Sequence, residues 1–174
     1  ADACVVGLAD HFIMQEHWGA CIQSLCDTGS TEALESFAQD PSPAPLMAIE
    51  AEVTEFFRGE YFGDIVINLQ YTGGDFATKT LKKLSRSSPL AMAATIEMIH
   101  RVRGLDDIVR ALEMEYRFTY RAAEQGDFIE GIRAMVIDKD KSPKWQHSLT
   151  ESLLPAASAM LRPLGANSLN LTET

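Results

Sequence analysis

The sequence predicts an all-α chain, and three observations carry that expectation. Apolar residues recur at helical spacing through most of its length, start and stop residues bracket those stretches, and the β-branched run Ile65-Val66-Ile67 stands by itself. A single strand among helices would leave its backbone groups without a partner. Glu60 to Tyr71 is therefore ambiguous on its residues, with a local strand propensity set against that cost.

Ala1 to Val6 reads as the end of a helix broken at Gly7, followed by a short extended piece from Leu8 to Ile13. Between Gln15 and Cys26, Trp18, Cys21, Ile22 and Leu25 make a one-face stripe that Gly29 ends. Ser30 can cap a second short helix, with Glu32 in its positive first turn and Leu34, Phe37 and Ala38 on its buried side. Asp40 to Pro45, DPSPAP, is linker-like: its prolines stop the preceding helix, and Pro45 pre-sets φ for the next. Leu46, Ile49, Val53, Phe56 and Phe57 then give an amphipathic pattern that ends by Gly59.

Gly73 and Gly74 form a loop, and Asp75 is expected to cap a helix with Phe76, Ala77, Leu81 and Leu84 inward and Lys79, Lys82 and Lys83 outward. Ser88-Pro89 is a cap followed by proline at the first helical position. Met92, Ile96, Ile99 and Val102 line that helix, with Glu97 and Arg101 paired outside. Asp106 and Asp107 suit the start of the next, where Leu105, Ile108, Leu112 and Tyr116 are expected to be buried and Gly126 closes. Asp127 is expected to cap a helical stem that buries Phe128, Ile132, Met135 and Val136, before alternating Asp and Lys and then Pro143 end it. His147 to Leu161 is expected to form a last helix, capped by Ser148 and interrupted at Pro155, before a polar, frayed tail from Gly165 to Thr174. The organisation that follows is seam helices over residues 1–40, a main bundle over 46–145 and a tail over 146–174.

The formal charge of −10 on 174 residues argues against a nucleic-acid partner, because a polyanion is held by Lys and Arg neutralising its phosphates. Two basic islands interrupt that balance: Lys79, Lys82, Lys83 and Arg86, then Arg133, Lys139, Lys141 and Lys144. They suit a small anion better than a duplex. The second island has two readings, a solvated helix exit or lysines held over something anionic, and composition favours the first. Cys4, Cys21 and Cys26 show no CxxC spacing, so neither a disulfide framework nor a zinc site is expected, and a reducing compartment is the default. No apolar run reaches the length of a membrane span, and the acidic start does not read as a signal or transit peptide.

Catalytic constellations are weak. His11, Glu16 and His17, with Cys21 four residues on, supply too few ligands for a metal site. Ser85, Ser87 and Ser88 lack a G-x-S-x-G turn and a neighbouring histidine, so capping explains them better than nucleophilic attack. Glu113 and Glu115 with Arg117 and Arg121 form a dense charged face; the two carboxylates, two apart, fall on different sides of a helix, and pairing of Glu113 with Arg117 is the better account. His100, flanked by Arg101 and Arg103, reads as structural.

EGIRAMVIDKDKSPKW, Glu130 to Trp145, closely resembles the C-terminal signature of the 3-hydroxyisobutyryl-CoA hydrolases, a branch of the crotonase (enoyl-CoA hydratase/isomerase) superfamily. SRSSPLAMAATIEMIHR at Ser85 to Arg101 and LEMEYRFTYRAAEQGDF at Leu112 to Phe128 resemble the two preceding blocks, in order. ADACVVGLADHFI at Ala1 to Ile13 resembles the block that follows the family's catalytic core. The resemblance implies the C-terminal helical segment of a crotonase-like α/β enzyme, with Glu60 to Tyr71 as a short helix and not a strand. It implies an intact protein that hydrolyses a short 3-hydroxyacyl-CoA thioester in valine breakdown, with oxyanion hole and acidic residues on an N-terminal half. No catalytic residue of the family carries onto this chain.

The implied partners are an acyl-CoA substrate, that N-terminal half and a possible homo-oligomer, with coenzyme A entering only as part of the substrate. The implied compartment is the cytoplasm of a bacterium or the mitochondrion of a eukaryote. For CoA, whose site wants cations beside an apolar surface, the resemblance points to Met135, Lys139 and Lys144, with Met135 standing where the hydratases carry phenylalanine. Two rivals remain: an enoyl-CoA hydratase or isomerase, and a free-standing helical interaction module.

Overall fold

A computed structural model describes residues 1–171, and among them there are helices and turns but no strand. They cluster into two compact units, Ala1–Glu55 and the chain from Phe56 onward.

In the first unit α1 (Asp2–Val5) stops before Gly7, which takes a left-handed φ of 72°. The Asp2 carboxylate accepts the Leu46 N–H at 3.0 Å, tying α1 to the 3-10 turn Pro45–Ile49. α2 (Trp18–Thr28) packs on the 3-10 turn Thr31–Ser36 and buries Cys21. Ser30 caps that turn as expected, its hydroxyl accepting the Glu32 N–H. The Trp18–Leu25 stripe is only partly used: Trp18 and Ile22 are exposed. Pro45 opens its 3-10 turn as the linker reading requires, and α3 (Glu50–Phe56) follows.

The second unit holds the core. α4 (Phe62–Thr72) converts the β-branched run into a helix with Ile65, Val66 and Leu69 fully buried and Ile67 outward. Asp64 secures its start by accepting the Tyr61 N–H. α5 (Gly74–Leu84) follows at once through Gly73, whose φ of 67° favours a residue without Cβ. Asp75 lies inside the first turn of α5 and is not its cap: the glycine pair makes a turn so tight that no capping residue precedes the helix. Phe56, Ile65, Leu69 and Ala77 close one core cluster, with Phe56 and Phe76 stacked at 5.5 Å.

α6 (Pro89–Val102) begins as the sequence reads, with the Ser88 hydroxyl accepting the Ala91 N–H. Ala93 and Ala94 of α6 and Ala157 of α9 (Leu154–Met160) are buried together, and such small residues let two helix axes approach closely. Arg101 pairs with Glu97 at 2.7 Å and also donates to the Ser158 hydroxyl, joining α6 to α9. α7 (Ile108–Gln125) is capped by the Asp107 carboxylate.

Three expectations are corrected here. Leu105, Ile108 and Leu112 are exposed, because α7 docks through its second half, where Ala122 is buried and Phe118 packs on the core. Pro155 does not interrupt a helix; it lies in the first turn of α9, where a missing N–H costs nothing, and the preceding residues from His147 are turns. Arg121 is not part of an outer charged face: its guanidinium donates to the carbonyls of Met160, Arg162 and Pro163, at the negative end of α9. The tail contains a 3-10 turn, Gly165–Asn167, and the expected fraying over residues 172–174 lies outside the described residues.

Candidate functional site

α8 (Phe128–Ile132) runs into a π-helical turn, Arg133–Ile137, closed by the Asp138 N–H donating to the Arg133 carbonyl at 2.8 Å. The wider turn breaks the 3.6-residue spacing on which the sequence pattern rests. Ala134 is buried, whereas Phe128, Met135, Val136 and Ile137 are each more than half exposed, so the stem is not the buried one expected. Together with Leu90, Phe118 and Trp145, the side chains of Phe128, Met135 and Val136 line an apolar groove of about 380 Å³. Trp145 packs over Gly131, and its buried indole N–H has no hydrogen-bond partner.

Beneath the groove lies Asp127, a buried charged residue at 6% exposure. Its side chain makes no capping bond to α8. Instead Oδ2 accepts the Ser88 hydroxyl at 2.6 Å and Oδ1 accepts the Gln146 N–H at 2.9 Å, while the Gln146 side-chain amide donates to the Gly126 carbonyl. This node binds the start of α6, the α7–α8 junction and the chain after Trp145 into one support.

Arg133 organises the exit loop. Nε and Nη2 grip Glu130 at 2.9 and 2.8 Å, Nη1 donates to Asp138 and Asp140 at 2.6 and 2.7 Å, and Nη2 also reaches the Ser142 carbonyl. Glu130 in turn accepts the Lys144 N–H at 2.6 Å, and Asp140 accepts the Ser142 N–H. The Arg133 hydrogen bond, then the Lys144 N–H, lower the Glu130 carboxyl from 4.5 to about 2. The same guanidinium, then the Ser142 N–H, lower Asp140, and the three carboxylates raise Arg133. Lys139 and Lys141 take left-handed φ values of 56° and 54°.

The structure brings the residues expected to contact CoA, Met135, Lys139 and Lys144, onto one groove edge and its exit loop, all exposed. Sequence reasoning missed the role of Arg133; the acidic residues at −3, +5 and +7 from it were the available signal. The other candidates disperse. Ser88 caps α6, the Ser85 hydroxyl donates to the Lys82 carbonyl, and Glu113 pairs loosely with Arg117 at 3.9 Å. Among the described residues no group of three or more His, Cys, Asp or Glu is placed to hold a metal ion. No helix among them is long and apolar enough to cross a membrane. His147 meets Glu151 at 2.8 Å, and that contact, then the Ser148 N–H, lowers the Glu151 carboxyl.

Residues 1–160 match the family described as enoyl-CoA hydratase/isomerase. The mitochondrial 3-hydroxyisobutyryl-CoA hydrolase of Xenopus laevis is 28% identical over 183 residues, covering 98% of this chain and 47% of its own length. That of Bos taurus is 29% identical, with 97% and 46% covered. Among solved structures, an enoyl-CoA hydratase from Rhodobacter sphaeroides 2.4.1 is 39% identical with a TM-score of 0.80, over 98% of this chain and 49% of that one. A carnitinyl-CoA dehydratase from Mycobacterium thermoresistibile is 26% identical with a TM-score of 0.85, over 99% and 50%. The chain thus spans about half the length of the curated relatives it matches. With its all-helical fold, its signature stretch and this match over most of its length, the chain belongs to the enoyl-CoA hydratase/isomerase family.

Proposed function

We propose that this chain is the C-terminal helical part of an acyl-CoA thioester hydrolase of the 3-hydroxyisobutyryl-CoA type. The observation that carries the reading is alignment of nearly the whole chain with relatives named for that activity, supported by the DKDKSPKW exit. In this reading an oxyanion hole and water-activating carboxylates lie on polypeptide outside the chain, and the chain supplies contacts for the nucleotide end of CoA. Met135 offers apolar surface to the adenine, and Lys139 and Lys144 offer ammonium groups to the phosphates. The apolar groove is surface for the rest of the fold to cover.

Release of free thiol from 3-hydroxyisobutyryl-CoA, followed with a thiol reagent, tests this. The longer polypeptide that carries the chain is expected to turn over, and the 174-residue chain is not. Turnover by the isolated chain would sink the division of labour. A second reading, enoyl-CoA hydration, is favoured by the 39% identity to the enoyl-CoA hydratase structure. Loss of enoyl absorbance without thiol release would decide for it.

A further inference from the structure

We propose that Arg117 anchors a binding site for a small monocarboxylate, in the cavity where α6 passes into α7. Arg101, Arg117, Arg121 and Arg133 are the partly buried arginines among the described residues, and three of them are satisfied by oxygen acceptors. Arg101 holds Glu97 and the Ser158 hydroxyl, Arg121 donates to four carbonyls, and Arg133 grips three carboxylates. Arg117 is the exception. Its side chain is 24% exposed, yet among the described residues its guanidinium makes no hydrogen bond to oxygen. Nη2 stands 3.9 Å from Glu113, and Nη1 reaches only the Met114 sulfur, a weak acceptor, at 4.0 Å. A charged fork withdrawn from water without acceptors is costly, and a ligand that brings them removes that cost.

The space beside Arg117 suits such a ligand. Leu90 of α6 and Ala122 of α7 line the apolar groove, whereas Val102 and Met114 line a cavity of about 380 Å³, so the two helices run antiparallel and the cavity lies at their other end. Pockets that hold small molecules are on the order of 300–1,000 Å³. Arg117 and Glu113 also border a smaller cavity of about 210 Å³ beside Ser168 and Leu169. Val102, Leu105 and Met114 give the larger cavity its apolar wall, and Arg101 and Arg110 complete it with Arg117. The charges select a monoanion. Arg101 and Arg110 already face Glu97 and Asp107, at 2.7 and 3.5 Å, and Glu113 opposes a second negative charge beside Arg117. A planar carboxylate matches the unused fork, and a short branched hydrocarbon body covers the apolar wall, which inorganic phosphate leaves bare. The acid released by hydrolysis of a short acyl thioester falls in this class, but the site stands on its own geometry and not on the hydrolase reading.

The probe is isobutyrate, titrated into the 174-residue chain and followed by ligand-observed NMR, with isobutyramide as the uncharged arm and inorganic phosphate as the arm without a hydrocarbon body. Isobutyrate is expected to bind, and the other two about tenfold more weakly or not at all. Arg117→Met keeps an apolar stem and removes the unsatisfied fork, so it is expected to lose binding while melting at or above the wild-type temperature. Arg117→Lys retains the charge without the fork and is expected to bind about tenfold more weakly. Glu113→Gln removes the opposing charge and is expected to bind about threefold more tightly. Arg58→Ala, an exposed arginine outside the cavity, is expected to change nothing. The proposal is overturned if isobutyrate binds no better than its amide or phosphate, or if Arg117→Met still binds it. A lower melting temperature for Arg117→Met also overturns it, by making the loose Glu113 contact structural. So does loss of isobutyrate binding in the longer polypeptide that carries the chain, because other residues of the protein then satisfy Arg117. Thiol release scores the hydrolase reading separately, so either can fail while the other holds.

Discussion

At the scale of single residues, Arg133 and Asp127 decide how the signature stretch is held. Glu130 depends on Arg133 for its low proton affinity, and that sets a pH window. A carboxyl lowered in the folded state contributes stability above its ordinary value of 4.5 and loses it as pH falls through the folded value of about 2. Acidification from pH 5 to pH 2 is therefore expected to free the 138–144 loop progressively, seen as a change in Trp145 emission. Arg133→Met should move that change to higher pH. Asp127 is a different case, a buried carboxylate joining residues 39 and 19 positions away. Asp127→Ala leaves the part-buried Ser88 hydroxyl and Gln146 N–H without their acceptor and is expected to cost about 1–3 kcal/mol in all, measured by urea unfolding.

At the scale of elements, the α6–α9 pair is the joint on which the second unit depends. Its closeness rests on Ala93, Ala94 and Ala157, and Arg101 and Arg121 clamp α9 through Ser158 and its last carbonyls. Ala94→Leu inserts volume where no space exists and is expected to lower stability by about 1–3 kcal/mol in the same assay. A helix as short as α9 has little stability of its own, so its order is supplied by that packing. Its boundaries are hidden in the sequence for the same reason: Pro155 looks like an interruption, whereas the helix starts beside it. α4 went the other way. Local propensity reads a strand there, whereas the family resemblance, with the need to pair backbone groups in a helical chain, reads the helix that is found.

At the scale of the whole molecule, the exposed apolar surface is the main observation. Phe128, Met135, Val136 and Ile137 stand open on one stretch of a chain that spans about half the length of its relatives. A contiguous apolar surface of this kind in a family of longer chains is expected to drive association. The chain should sediment as a concentration-dependent oligomer and bind a hydrophobic dye, and, on the reading proposed above, the longer polypeptide that carries it should do neither. A monomer that binds no dye would favour the free-standing module. What the sequence determined by itself is local: Ser30 and Ser88 as caps, Pro45 and Pro89 as first-turn residues, and the inward face of α5, because these signals act over about four residues. The signature blocks gave the family as well. Only the tertiary structure decided which faces are covered, that Asp127 supports Ser88 and not α8, and that a π turn lets Arg133 gather three carboxylates. Those outcomes depend on groups many residues apart or on a break in periodicity: spacing shows nothing of the first, and of the second only the acidic residues at −3, +5 and +7 from Arg133.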